Sequence, residues 1–356
     1  MNVAALIPAR GRSWRLSWHV HRWGAAGLLA AALAIGLLIA VQAGAVPVTL
    51  ADWLAPFQSG DEALSGGAYV LWQLRLPRAL FAILIGAALA LAGGLTQGLF
   101  RNPLADPGLL GISSGAACAG AITIVFAASL HVAPELRVWL LPAAAFAGAM
   151  LICVLLDRVA RWATPGSIVG LLLTGVALNA ITVAVMGLCI YMASDDQLRT
   201  LTFWTLGSLS AGSWRQVAAL LLVLAGALWA TRHLTRSLNA LALGEAQALH
   251  VGVDVGRLRT QVIVLVAALT GFAVAWCGGI GFIGLIAPHL VRTWLGADQR
   301  RVLPLGMLAG GVLLLLADTL ARTVAIPAEV PVGIFTALLG GPFFLMLLRR
   351  FRHSTA

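Results

Sequence analysis

The feature that most constrains this chain is a series of apolar runs, each close to the length that a helix needs to cross a bilayer. A helix rises about 1.5 Å per residue, so about 20 apolar residues span roughly 30 Å of hydrocarbon. The pattern predicts an all-α polytopic membrane protein with about ten transmembrane helices, formed by a single domain over residues 1–356. The ten predicted spans are 24–43, 79–98, 108–130, 138–156, 168–191, 216–230, 261–277, 280–296, 303–323 and 332–348.

The composition excludes a water-soluble fold. Hydrophobic residue types make up 60% of the chain and charged types only 10%, whereas a soluble domain carries about 25% charged residues. The net charge is +10, but the basic residues flank the apolar runs instead of clustering on one water-facing surface, as nucleic-acid binding requires. The lipid bilayer is therefore the expected environment, and nucleic acid is not an expected partner.

All 23 basic residues are arginine, and the chain contains no lysine. A phosphate-binding loop needs a lysine before its final Ser or Thr, so this chain cannot hydrolyse ATP by that route. If ATP drives the protein, another subunit must bind it, and no enzyme activity and no cofactor are expected in this chain. The cysteines stand singly in apolar runs without a C-x-x-C pair, so no metal site is predicted. They are Cys118, Cys153, Cys189 and Cys277.

The distribution of arginine predicts the orientation of the chain. Ten spans place both termini on one side, and the loops of that side carry 17 arginines against 6 on the other. Arginine favours cytoplasmic loops, so both termini are expected in the cytoplasm, with residues 1–23 as a basic leader. The first apolar run holds about 20 residues, longer than the 7–15 of a signal peptide, so we expect it to be a retained span.

Two further patterns concern organisation. Gly94 precedes Pro103 by nine positions, as Gly279 precedes Pro288, so spans two to five would match spans seven to ten as an inverted repeat of the kind common in transporters. Residues 193–215 outside and 231–260 inside form longer loops than a bundle needs. The second loop includes a short helical pattern rich in leucine, which either docks a partner or lies on lipid.

Several strings together resemble one family. From about residue 70 onward the chain is similar, in order, to the FecCD/BtuC family of ABC importer permeases, which carry iron–siderophores, heme and vitamin B12. The strings are RLPR (75–78), FRNPLADPGLLGISSGA (100–116), LGEAQALHVGV (243–253), GGIGFIGLIAPHLVR (278–292), LADTLAR (316–322) and PVGIFTALLGGPFF (331–344).

The resemblance implies a BtuC-like type II permease in the bacterial inner membrane, paired with a second copy of itself. Two separate ATPase subunits, which hold ATP and Mg, would bind on the cytoplasmic side, and a periplasmic binding protein would deliver the substrate. The 231–260 segment would then be the cytoplasmic coupling loop. The arginines on the periplasmic side would pair with glutamates of the binding protein, since guanidinium groups bind carboxylates bidentately.

The resemblance also implies roles for particular residues. The docking arginines are Arg75, Arg78 and Arg322; the coupling residues are Leu243, Gly244, Glu245, Ala246, Ala248, Leu249 and Gly252. The cytoplasmic gate is Thr164, Pro165, Gly166 and Ser167, and the pathway along span five is Thr174, Asn179, Thr182, Met186 and Tyr191.

The residues themselves leave other roles open for some of these positions. Arg75 and Arg78 could anchor the chain at the membrane interface, and Arg322 could pair with Asp318 one helical turn before it. Met186 could serve helix packing alone.

The substrate follows from one more string. FWTLGSL (203–209), with RNPLADPG, resembles the heme-importing branch of the family, so heme is predicted, with a siderophore second and vitamin B12 third. A secondary transporter usually keeps carboxylates inside the bundle for ion coupling. Asp318 is the only acidic residue within a predicted span, and Arg322 can neutralise it. A membrane enzyme needs a convergent set of acid–base or metal-binding groups, which His289 alone does not supply.

Overall fold

The structure, a computed structural model, describes residues 13–58, 65–126 and 133–354, and within these residues the chain forms helices and no strand. A short 3₁₀ turn, Pro107–Leu110, precedes the fourth helix. The helices are α1 Ser13–Gln42, α2 Leu50–Gln58, α3 Gly66–Phe100, α4 Ile112–Phe126, α5 Pro134–Ala163, α6 Ile168–Met192, α7 Asp195–Thr205, α8 Trp214–Leu241, α9 Glu245–His250, α10 Val255–Cys277, α11 Ile283–Leu295, α12 Gln299–Thr323 and α13 Val332–Ser354.

Helix α3 lies at the centre of the bundle. It packs most extensively against α12 and also contacts α8, α10 and α11. Its close contacts are made at small residues: a Cβ added at Gly86 would lie 2.2 Å from the Gly310 carbonyl of α12, and one at Gly93 would lie 1.8 Å from the Gly284 carbonyl of α11. Glycine therefore lets these helices pack backbone against backbone, as small residues do in membrane bundles.

Each of the ten predicted spans contains a helix, and within the described residues seven helices are long and apolar enough to cross a membrane. In the predicted span 280–296 the helix is shorter than predicted, because α11 has 13 residues, or about 20 Å at the rise of an α-helix. Its start is delayed by the non-helical segment from Gly278 to Phe282, both of which have a φ of 67°. Likewise α4 begins at Ile112 instead of 108, after the 3₁₀ turn; predicted positions 127–130 lie outside the described residues.

The helix lengths agree with the predicted internal repeat. In the first half, the helices α3 to α6 have lengths of 35, 15, 30 and 25 residues. The second half reads 23, 13, 25 and 23 residues from α10 to α13. Each half thus places a short helix second, after a long one, with α7, α8 and α9 between the two halves.

The two long loops are more ordered than the sequence analysis expects. Segment 193–215 contains α7, which begins with a capping box formed by Ser194 and Gln197. Segment 231–260 is largely helical, because α8 continues to Leu241 and α10 begins at Val255. The connection that carries α9 is therefore only 242–254. Of the predicted leader, residues 1–12 lie outside the described residues and the rest belongs to α1.

Candidate functional site

The three predicted docking arginines lie together at the end of the bundle where α1 ends. Arg75 is 7% exposed, and its guanidinium donates hydrogen bonds to the carbonyls of Val41 (3.0 Å) and Val46 (2.6 Å). The last carbonyls of a helix have no partner within it and attract cations, so Arg75 caps the C-terminus of α1. Arg75 is thus enclosed by its own chain, and its docking role stays a prediction.

Arg78 and Arg322 share the carboxylate of Asp318, whose side chain is 2% exposed. Arg78 Nη2 lies 2.9 Å from Asp318 Oδ1, and Arg78 Nη1 lies 2.7 Å from Glu329 Oε1. The sequence-predicted pair between Asp318 and Arg322 is present but longer, at 3.7 Å, and Arg322 also donates to the carbonyls of Ala40 and Ala43. The cluster of Arg78, Asp318, Arg322 and Glu329 joins α1, α3 and α12. Glu329, 47% exposed, is its most accessible member.

At the opposite end of the bundle, α9 presents two different faces. Gly244, at a φ of 125°, provides the sharp turn after α8. Ala248 is fully buried within the chain, and its role in coupling stays a prediction. Leu243 and Leu249 point outward with 75% and 60% of their surface exposed, as does Val251 with 69%. Ala246 and Gly252 are also exposed, whereas Glu245 is half-buried.

The predicted gate is the turn between α5 and α6. The Thr164 N–H closes α5 on the Ala160 carbonyl at 3.0 Å, and the Ser167 hydroxyl begins α6 by accepting the Gly170 N–H at 3.0 Å. Between these caps, Pro165 is exposed, and Gly166 is exposed with a φ of 80°. The turn is therefore a short exposed link between two well-capped helices.

One arginine that the sequence analysis did not single out brings the coupling segment and the gate together. Arg259, in the first turns of α10, donates from Nη2 to the Gly166 carbonyl at 3.0 Å. The same Nη2 lies 3.6 Å from Glu245 Oε1 at the start of α9. Arg259 stands 14 positions after Glu245 and 93 after Gly166, so no local spacing in the sequence indicates this contact.

The predicted pathway residues on α6 do not share one face. Thr174 and Thr182 donate to carbonyls of their own helix, those of Gly170 (2.8 Å) and Asn179 (2.9 Å). Thr182 is buried, and Met186 packs against a cluster that includes Val125 and Leu201, so helix packing accounts for these two. Asn179 is exposed and Tyr191 is 87% exposed. The exposed side of α6 is otherwise apolar, with Val169, Leu173, Val176 and Leu188.

The structure also places Asp106 beside a partly open pocket of about 260 Å³ between α3, α4, α7, α10 and α11. The sequence analysis placed this residue outside the spans. Its carboxylate accepts the Gly108 N–H at 2.7 Å and caps the 3₁₀ turn. In the described residues, no group of three or more His, Cys, Asp or Glu side chains is arranged to hold a metal ion.

Comparison with known proteins gives the same architecture. A solved chain described as an inward-facing metal-chelate type ABC transporter superposes with a TM-score of 0.76 at 31% identity, over 90% of this chain and 97% of its own length. The hemin transport system permease protein HmuU of Yersinia pestis is 46% identical over 289 residues, which is 80% of this chain and 84% of HmuU. The vitamin B12 import system permease protein BtuC of Pectobacterium atrosepticum is 42% identical over 91% of this chain and 93% of its own.

The family assignment covers most of the molecule. Residues 32–350 match the FecCD transport family. The matched residues include all the helices from α3 to α12, and therefore both the arginine cluster around Asp318 and the contacts of Arg259. The relatives are permease proteins, and in the part of the chain that the structure describes seven helices meet the length and composition of membrane spans. The chain is therefore a multi-pass membrane permease that belongs to the FecCD transport family.

Proposed function

We propose that this chain is the permease subunit of an ATP-driven importer that moves heme from a periplasmic binding protein into the cytoplasm. The observation that carries the choice of substrate is the 46% identity to a hemin permease. The vitamin B12 permeases, at 40–42%, follow closely, and the metal-chelate transporter favours an iron–siderophore as the second candidate. The exposed residues of the predicted pathway, Asn179 and Tyr191, are uncharged, which suits a large, mostly apolar macrocycle.

The permease works as a pair of identical chains in the inner membrane. The supporting feature is the exposed apolar side of α6, which either lipid or a second copy can cover, and the second copy would place the pathway between the two α6 helices. Both termini lie in the cytoplasm, as the excess of arginine on that side favours.

Energy comes from two ATPase subunits that hold ATP and Mg. The exposed Leu243, Leu249 and Val251 around α9 form the surface that fits a cleft on such a subunit, because they leave apolar area uncovered at the arginine-rich end of the bundle. Ala248 anchors this surface to the bundle, so that a movement of α9 reaches the membrane helices.

The binding protein docks at the opposite end, where Arg78 and Arg322 lie. Arg78 would exchange Glu329, its exposed partner, for a carboxylate of the binding protein. Glu329→Gln removes this competitor without disturbing Asp318, so we expect the binding protein to associate several-fold more tightly, most clearly at low salt. Asp196→Asn, which also removes an exposed carboxylate on α7, is the control. Equal effects of the two variants would show that only the general charge matters.

The experiment that tests the function is uptake by proteoliposomes that hold the chain with its ATPase subunit and its binding protein. Heme loaded on the binding protein should accumulate on the ATPase side of the membrane. This accumulation should require ATP on that same side. Cyanocobalamin and a ferric siderophore, offered on the same binding protein, are the matched competitors. Accumulation of one competitor in place of heme would show that this competitor, and not heme, is the substrate. Accumulation of none of the three would overturn the proposal.

A further inference from the structure

We propose that Arg259 is the positioning residue that transmits movement of the coupling helix α9 to the cytoplasmic gate. The inference rests on the proposed function, since it assumes that an ATPase moves α9. Arg259 is the residue on α10 that contacts both functional segments: it donates to the Gly166 carbonyl at 3.0 Å and lies 3.6 Å from Glu245 Oε1. A displacement of either partner therefore changes the interaction with the other.

The surroundings of Arg259 fit a transmitting role. Its side chain is 14% exposed, and its Nε is buried without a hydrogen-bond partner among the described residues. A buried guanidinium nitrogen that lacks a partner is costly, so this position is not optimised for stability in the present conformation. A movement of α9 or of the turn can give Nε an acceptor, so the two arrangements of the side chain differ in energy.

The gate turn has few other ties to the rest of the bundle. Pro165 and Gly166 are exposed, and the hydrogen bonds of the turn besides that of Arg259 run within α5 and α6. A second link lies one residue further along α10, where the Thr260 hydroxyl accepts from Arg161 Nη2 at 2.7 Å. That link holds α5, not the turn. Arg259 is thus the contact through which α10 and α9 act on the turn itself.

The chemistry of arginine suits this geometry. One guanidinium offers five N–H donors in a rigid fork and can bind a carbonyl and a carboxylate at the same time. Lysine offers a compact charge on a flexible stem, so Arg259→Lys should keep the charge and lose the simultaneous contact. Glu245→Gln should keep the Gly166 bond and lose the attraction to α9.

The test measures the ratio of substrate uptake to ATP hydrolysis in the reconstituted complex. In Arg259→Ala we expect hydrolysis within about two-fold of the wild type while uptake falls about ten-fold, and Arg259→Lys should fall between. The matched control is Arg257→Ala, which removes the same charge from the same turn of α10. The Arg257 side chain is exposed and has no ion pair in the described residues.

A second measurement reports on the gate directly. The native cysteines of the chain are buried, so Thr164→Cys supplies one exposed thiol for a membrane-impermeant reagent on the ATPase side. Its labelling rate should change with nucleotide in the Arg257→Ala background and lose that response in the Arg259→Ala background.

The two levels of the proposal fail differently. If Arg259→Ala keeps a normal uptake-to-hydrolysis ratio and a normal labelling response, or if its uptake and hydrolysis fall together, the role of Arg259 is overturned and the importer stands. If the wild-type complex moves no substrate and the labelling of Thr164→Cys alone does not respond to nucleotide, the proposed function fails, and the inference falls with it.

Discussion

Asp318 is buried at the end of the bundle where α1 ends, and its charge is balanced by Arg78 from another helix. Removing one partner of a buried pair leaves an uncompensated charge, which costs about 3–5 kcal/mol. We therefore expect Arg78→Ala to lower stability by about 3 kcal/mol, with a matching fall in the midpoint of thermal unfolding in detergent. The cost should stay near the lower limit, because Arg322 lies 3.7 Å from the same carboxylate.

Arg215→Ala is the control for that measurement, because its side chain is exposed at the start of α8. It should leave the midpoint unchanged. The double variant Arg78→Met with Asp318→Leu should recover most of the loss, since it removes both charges together. A destabilisation as large in the double variant as in Arg78→Ala would show that packing, and not the ion pair, holds this end of the bundle.

At the scale of the element, α9 is a helix of six residues with one buried anchor, Ala248, and one exposed leucine, Leu249, on its free side. A helix this short has little stability of its own, so its shape depends on Gly244 and on the packing of Ala248. This division predicts that its outer face can be changed without unfolding the bundle.

Leu249→Arg should therefore release the ATPase subunit while the chain keeps its thermal stability. A charge placed in an apolar contact should weaken association at least ten-fold, which co-purification or surface binding with the ATPase subunit measures. Leu198→Arg, the same change on the exposed surface of α7, should leave ATPase binding intact. Full ATPase binding by Leu249→Arg would exclude this face of α9 from the interface.

At the scale of the whole molecule, two carboxylates among the helices, Asp318 and Asp106, both have hydrogen-bond or ion-pair partners. Asp318 is paired with arginine, and Asp106 accepts a backbone N–H. Vesicles that carry this chain alone should therefore move no heme when a proton or sodium gradient is imposed. The same vesicles with the ATPase subunit and the binding protein serve as the positive control. Gradient-driven accumulation by the chain alone would place it among secondary transporters.

Local patterns predicted much of this protein. The length and polarity of the apolar runs predicted a helix in each of ten intervals, because a span must satisfy its backbone hydrogen bonds internally and hide its polar groups from lipid. The strings along the chain predicted the family, which is confirmed.

The rest was decided by contacts between residues far apart in the chain. Arg75 resembles a docking arginine in sequence, yet the end of α1 encloses it; Asp318 has a nearer partner in Arg78 than in Arg322, its neighbour on the helix. Arg259 meets Gly166 and Glu245 only because α10 passes between the gate turn and α9. The sequence by itself determined which segments become helices, because that depends on local hydrogen bonding and on exclusion of polar groups from lipid. The tertiary structure alone decided which charges are buried and what they contact, because that depends on how separate helices pack.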